Sequence, residues 1–156
     1  MRGLLAFVHA LSLASWIGGL LFLFLVAVPA AGQVLADDLA RAVTRQLLRG
    51  YHALGVACGL VALVSLAALA TLPESGARVG PRAGLLVTML VLTLAGGATL
   101  QPRIERELGA LRAADPAAGR QRLARLQRLE RLALQTDATV LLCGLMNLWL
   151  WLGGSH

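Results

Sequence analysis

The feature that most constrains this chain is its N-terminal apolar run, since residues 3–36 contain no Asp, Glu, Lys or Arg. A helix rises about 1.5 Å per residue, so roughly 20 apolar residues cross the hydrocarbon core of a bilayer. Residues 4–28 supply that length before Pro29 interrupts the pattern. Because further apolar runs follow, we interpret this run as a membrane-spanning helix rather than a cleaved signal peptide, whose apolar region is shorter.

One face of this first span differs from the rest. At about 100° per residue, a single stripe collects the polar, aromatic and small side chains His9, Ser12, Trp16 and Gly19. An ionisable residue inside a membrane helix is costly and usually functional, and small residues allow a second helix to approach closely. We expect this stripe to line the interior of a helical bundle, which leaves mostly Leu, Phe, Val and Ala to face lipid.

Three more apolar runs have spanning length. We place the spans at residues 4–28, 52–72, 83–101 and 132–152, with loops at 30–51 and 102–131. In both loops, apolar residues and Arg alternate at helical spacing, which predicts amphipathic extensions of spans two, three and four. Only 14% of the residues are charged, against roughly 25% in soluble domains. The predicted fold is all-α, a single integral membrane domain over residues 1–156 that forms a four-helix bundle.

The basic residues predict the orientation. All fourteen are Arg, and most of them lie in the two loops. Because basic residues favour the cytoplasmic side, these loops are predicted to face the cytoplasm. Both termini then lie outside the cytoplasm, in a multi-pass protein of the cytoplasmic (inner) membrane. No basic module interleaved with aromatic residues is present, so the bilayer is an expected partner and nucleic acid is not.

Small residues in span two point to close helix packing. Gly55 and Gly59 form a GxxxG spacing, which favours contact with another helix and makes this face a candidate surface for a homo-oligomer. Cys58 and Cys143 lie inside apolar runs, where we interpret them as core residues rather than a disulfide. Residues 153–156 are interpreted as a tail.

In the half of the predicted bundle that faces away from the cytoplasm, His9 lies at a depth similar to that of Met89 in span three and of Met146 and Asn147 in span four. Imidazole and thioether groups suit Cu(I), and a His/Met pair also holds haem iron in some cytochromes. The candidate metal ligands are therefore His9, Met89 and Met146, and the candidate cofactor site adds Trp16 and Asn147. The alternative is a structural His9, hydrogen-bonded to Ser12 or Asn147, with both methionines filling the core.

At the inner level, four polar residues of three spans lie at similar depth: His52, Gln101, Gln135 and Asp137. A carboxylate inside a span is expected to be paired, and His52 or an inner-loop Arg is the expected partner of Asp137. We interpret this inner polar cluster either as a structural latch or as a path for protons or ions.

Several short motifs resemble known families. They are residues 16–22 (WIGGLLF) after His9, residues 51–55 (YHALG) at the start of span two and residues 102–105 (PRIE) after span three. With the basic helix before span four, they resemble the small four-helix membrane proteins of unknown function related to the human cisplatin-resistance-associated transmembrane protein. The helix order is also similar to the copper-resistance protein D and haem-associated protoporphyrinogen oxidase J families. In those families, a first-span histidine before a Trp is a candidate for metal or haem chemistry, which implies that role for His9.

Three functional hypotheses follow. The first is a protein that binds haem b or copper through His9 in the outer half of the bundle, in metal or haem homeostasis or electron transfer. The second is a non-catalytic scaffold or partner subunit in which His9 is structural. The third is a transporter of a metal or small molecule. Phosphate-binding glycine loops, CxxC, HExxH and Ser-His-Asp motifs are absent from the sequence, so a haem-linked membrane oxidoreductase is the only enzyme class considered.

Overall fold

Four long helical spans build the protein in this computed structural model, which describes residues 2–71, 79–112 and 116–153. Span one consists of α1 (Arg2–Phe22), a π-helical segment (Leu23–Ala27) and α2 (Val28–Val34), and span two is α3 (Asp37–Ala70). Span three consists of α4 (Val79–Ala95), a π-helical segment (Gly96–Leu100) and α5 (Gln101–Arg112), and span four is α6 (Pro116–Leu152). All four are long and apolar enough to cross a membrane. The chain is therefore an all-α, multi-pass membrane protein.

The spans extend well beyond the apolar runs. As expected for amphipathic extensions, α3 begins at Asp37 and continues without a break into the apolar part of span two. Span four likewise begins near Pro116, far ahead of its apolar part. Much of the predicted loops is thus helix. Residues 72–78, which join spans two and three, and the end of the tail lie outside the described residues.

Two prolines lie inside continuous helical spans, each two positions after a π-helical segment. Pro29 follows Leu23–Ala27, and Pro102 follows Gly96–Leu100. A proline lacks the N–H donor, and its ring clashes with the carbonyl four residues earlier. In both spans that carbonyl belongs to a π-helical segment. The hydrogen bonds of a π-helix join residues five positions apart, and its wider turn accommodates the proline ring. The expectation that span one ends near Pro29 is therefore wrong, and the helix continues to Val34.

The core is organised around Trp16, which is fully buried. A Cβ atom added at Gly55 would lie 2.7 Å from Trp16 Nε1, and one added at Gly59 would lie 2.8 Å from Trp16 Cζ3. The glycines of the GxxxG spacing thus make room for the indole of span one within the same chain. A homo-oligomer through this face stays a prediction. The buried cluster around Trp16 draws on all four spans: Leu13, Leu20, Leu23, Tyr51, Ala62, Leu66, Leu86, Met89 and Val140.

The bundle has two unlike halves. In the terminal half, which contains the helix ends at Arg2, Ala70, Val79 and Leu152, each span packs against the spans before and after it, and span four packs against span one. In the arginine-rich half, α2 packs on α3 and α5 packs on α6, but the backbone of α5 does not come close to that of α2 or α3. A salt bridge from Arg49 to Glu105 links the two helix pairs there. The two pairs are otherwise separated, and a cleft lies between them.

Candidate functional site

In the terminal half, the His9 side chain is fully buried and bonded to two other spans. Its Nδ1 lies 3.0 Å from the Ala62 carbonyl oxygen and 3.2 Å from Ser65 Oγ, both on span two. Its Nε2 lies 2.7 Å from Nη2 of Arg82 on span three. Because arginine offers only donors, Nε2 must accept, so Nδ1 carries the ring proton and donates to the Ala62 carbonyl. His9 is therefore a neutral imidazole with both nitrogens engaged.

Arg82 supplies the positive charge of this centre, although it is only 8% exposed. Its guanidinium carbon lies 4.4 Å from the centroid of the Trp151 ring, within the range of a cation–π attraction. The side-chain amide of Asn147 donates to the Arg82 carbonyl oxygen at 3.0 Å. Among the described carboxylates, none forms an ion pair with Arg82. The His9–Arg82 centre therefore joins all four spans around one buried cation.

The structure separates the three residues predicted to ligate a metal. Met89 is fully buried, but it follows Arg82 by seven residues, which places it about 10 Å deeper. There its methyl group faces Gly144. Met146 is 55% exposed on the outside of span four. Over the described ranges, no group of three or more His, Cys, Asp or Glu side chains could hold a metal ion.

The two other residues predicted at the cofactor site have different positions. Asn147 belongs to the His9–Arg82 centre through its bond to the Arg82 carbonyl, whereas Trp16 lies between Gly55 and Gly59. Any metal at His9 Nε2 would have to displace the Arg82 guanidinium. This set of residues does not fit a His/Met copper or haem site in this conformation, and metal binding at His9 stays a prediction.

In the arginine-rich half, the cleft between the helix pairs has a volume of about 680 Å³, within the usual range for small-molecule sites. Two arginines and two carboxylates line its outer part: Asp37, Arg41, Arg45 and Glu130. Most of the wall is apolar, including Phe24, Val28, Leu48, Ile104, Leu108 and Leu126. Gln101 and Asp137 line its deep end, and both residues are more than nine-tenths buried.

The inner polar cluster is formed only in part. Asp137 lies near enough to His52 for electrostatic attraction, but His52 Nδ1 donates to the Leu48 carbonyl at 2.7 Å on its own helix. Within the described residues, Asp137 forms no ion pair or hydrogen bond. The expected partner His52 thus attracts Asp137 without a direct ionic contact, and within the described residues no inner-loop arginine forms an ion pair with Asp137. Gln135 is exposed and lies outside the cluster.

His52 lies against the π-helical segment of span three. A Cβ atom added at Gly96 would lie 3.0 Å from His52 Nε2, and one added at Gly97 would lie 3.1 Å from His52 Cδ2. The two glycines therefore let the imidazole pack directly on the backbone of span three. This contact holds His52 against span three, within the range of electrostatic attraction to Asp137.

Sequence reasoning did not identify Arg82 as the partner of His9. The predicted third span begins at residue 83, so Arg82 was placed just outside it, at the end of the bundle away from the arginine-rich loops. In the structure span three begins at Val79, and Arg82 is buried inside it. No sequence pattern indicates the cleft. Apolar periodicity predicts which face of a helix is buried, but it does not predict how far two helices separate.

Comparison with known proteins gives a family without an assigned function. A family model described as a domain of unknown function (DUF4149) matches residues 11–113. The match covers most of spans one to three and leaves His9 and span four outside it. No curated protein and no solved structure matches the chain significantly. The similarity to copper-resistance and haem-associated families stays a resemblance.

Proposed function

Because this chain belongs to the DUF4149 family, whose function is unknown, we propose a function from its own geometry: it binds a hydrophobic organic cation in the cleft of the arginine-rich half. This binding is the first step that a small-molecule transporter requires. The cleft reaches the middle of the bundle and ends at Asp137. Beyond that level the four spans pack against one another. The shape supports a site that is reached from the arginine-rich end.

The observation that carries this proposal is the carboxylate of Asp137 at the deep end of an apolar cleft. The outer part of the lining is electrically balanced, since Arg41 and Arg45 offset Asp37 and Glu130. Asp137 therefore adds one net negative charge. An unpaired buried charge is strongly unfavourable, and a bound counter-ion removes that penalty. A cation with apolar substituents interacts favourably with both the carboxylate and the walls, whereas an anion or a neutral ligand leaves Asp137 without a direct ionic contact.

The His9–Arg82 centre has a structural role in this proposal. Its hydrogen bonds hold span one to spans two and three, and Asn147 adds span four. These contacts support a terminal half that stays closed, so that the cleft ends inside the bundle and does not pass through it. The structural interpretation of His9 thus accompanies the binding function and does not compete with it.

Equilibrium dialysis of detergent-purified protein with tetraphenylphosphonium, a hydrophobic cation, tests the proposal. We expect saturable binding that Asp137→Asn weakens at least tenfold. Two unit charges about 4 Å apart attract by about 4 kcal/mol at an effective dielectric constant near 20, and every 1.4 kcal/mol is about tenfold in affinity. Asp137→Glu, which keeps the charge, should restore most of the binding.

Two controls make the result specific. Gln135→Ala changes an exposed residue of the same helix and should leave the affinity unchanged. Tetraphenylborate has the same shape with a negative charge, and it should bind more weakly than the phosphonium. Equal affinity for the two ions, or unchanged phosphonium binding by Asp137→Asn, would overturn the proposal.

The absorption spectrum and metal content of purified protein test the hypothesis of haem or copper at His9. We expect neither a Soret band nor stoichiometric copper that depends on His9, because both ring nitrogens of His9 already have partners. The protein should come from cells supplied with haem and copper and be compared with His9→Ala. A signal that His9→Ala abolishes would show that a metal displaces Arg82, and it would restore that hypothesis.

A further inference from the structure

A second concavity lies between α5 and α6, apart from the cleft. It has a volume of about 460 Å³ and is lined by two arginines from each helix together with one acidic and one apolar residue: Arg103, Arg106, Arg125, Arg128, Glu107 and Leu129. The sequence pattern predicts amphipathic helices here, with arginines on a solvated face. The structure shows that arginines from two separate helices converge on one depression.

The charge of this concavity is strongly positive. All four arginines are exposed, and among the described residues none of them forms an ion pair. The one carboxylate of the lining, Glu107, lies 3.9 Å from Nη1 of a fifth arginine, Arg122. Convergence of like charges is unfavourable and raises the local concentration of anions. An anionic group in the depression therefore removes repulsion that the chain itself does not neutralise.

Distances along the helices place the concavity at the surface of the bilayer. Arg103 follows Val79, where span three begins, by 24 residues, or roughly 36 Å of helix. Arg128 precedes Trp151 by 23 residues, or roughly 35 Å. The hydrocarbon core is about 30 Å thick. With Val79 and Trp151 at the opposite boundary, the four arginines lie just beyond the core, at the depth of lipid headgroups.

We propose that this four-arginine concavity binds the headgroup of an anionic phospholipid, and that a headgroup with two phosphates fits it best. Guanidinium groups bind phosphate oxygens through paired hydrogen bonds, and basic pockets between spanning helices suit acidic headgroups. Two arginines on each helix provide one pair for each phosphate. Leu129 gives the adjoining acyl chain an apolar surface at the edge of the site.

Cardiolipin, a lipid with two phosphates, is the probe, and native mass spectrometry of the detergent-purified protein measures its affinity. Each arginine near an anionic headgroup contributes about fivefold, so Arg106→Gln/Arg128→Gln should weaken binding about twenty-fivefold. The matched control is Arg120→Gln/Arg131→Gln, which removes two exposed charges from the same half of the bundle outside the concavity. Its affinity should equal that of the parent protein.

Three outcomes would overturn the proposal. An equal loss in both double variants would assign the binding to overall charge. Phosphatidylcholine that binds as tightly as cardiolipin would exclude recognition of an anionic headgroup. Pyrophosphate that binds without lipid and displaces cardiolipin completely would identify a soluble anion as the ligand. Because these arginines do not line the cleft, phosphonium binding should be the same in both variants, which separates this test from that of the cleft.

Discussion

Trp16→Ala should lower the free energy of unfolding by about 3–5 kcal/mol, the range measured when a large buried aromatic side chain is truncated. The indole is fully buried, and it fills the space that Gly55 and Gly59 leave in span two. Lipid tails are as apolar as the core, so association of spans depends on close packing rather than on the hydrophobic effect. The loss should appear as unfolding at a lower fraction of sodium dodecyl sulfate in mixed micelles.

Gly59→Ala tests the same contact from the other side. In the parent protein the added Cβ meets the Trp16 ring at 2.8 Å, so we expect a loss of about 1–3 kcal/mol from overpacking. In the Trp16→Ala background the nearest remaining group is the flexible Leu90 side chain, with Cδ1 at 3.0 Å from the added Cβ. The same substitution should then be close to neutral or stabilise by up to about 1 kcal/mol through helix propensity. Gly18→Ala is the control, because nothing lies within 4 Å of its added Cβ. A loss of equal size in both backgrounds would show that Trp16 is not the opposing group.

The His9–Arg82 centre should give the second large effect. His9→Leu leaves the buried Arg82 guanidinium without its side-chain acceptor, and breaking a buried charged contact typically lowers stability by about 3–5 kcal/mol. In the double variant His9→Leu/Arg82→Met, the charge is removed as well. We therefore expect the double variant to be more stable than His9→Leu alone, measured in the same mixed-micelle titration.

Ser12→Ala is the matched control for this prediction. Ser12 is buried on the same helix, but its hydroxyl donates to the Val8 carbonyl at 2.8 Å on that helix and holds no other span. Its substitution should change stability little. Arg82→Met alone completes the comparison. If the stability lost in the double variant equals the sum of the losses in His9→Leu and Arg82→Met, then His9 and Arg82 contribute independently, contrary to the geometry of the centre.

The spans and the inward face of span one follow from the sequence because they depend on length and on a fixed angle per residue. The structure buries His9, Ser12 and Trp16 together, as the helical period predicts. The ends of the spans were harder to predict, because polar segments continue as helix beyond the bilayer. Pro29 was misleading for a physical reason, since a π-helical segment accommodates a proline that an ordinary helix excludes.

The candidate sites were less predictable, because the sequence indicates depth and relative rotation within one helix but not which side chains of different helices meet. Asn147 and Met146 are neighbours and differ by about 100°, so only one of them can face inward. The structure buries Asn147 and exposes Met146. The contact between His9 and Arg82 could not be predicted either, because the two residues are remote in sequence. The position of Asp137 at the deep end of a cleft was also unpredictable, because no local pattern encodes how far two helix pairs separate.

The two π-helical segments also divide the molecule mechanically. Each interrupts the regular hydrogen-bond ladder near the start of the arginine-rich half, and each is followed by a proline that supplies no donor. Bending of long helices concentrates at such points. Beyond them, α2 and α5 continue along the cleft, whereas the terminal half is held together by Trp16 and by the His9–Arg82 centre. We therefore expect helix bending to alter the walls of the cleft more readily than the opposite end of the protein.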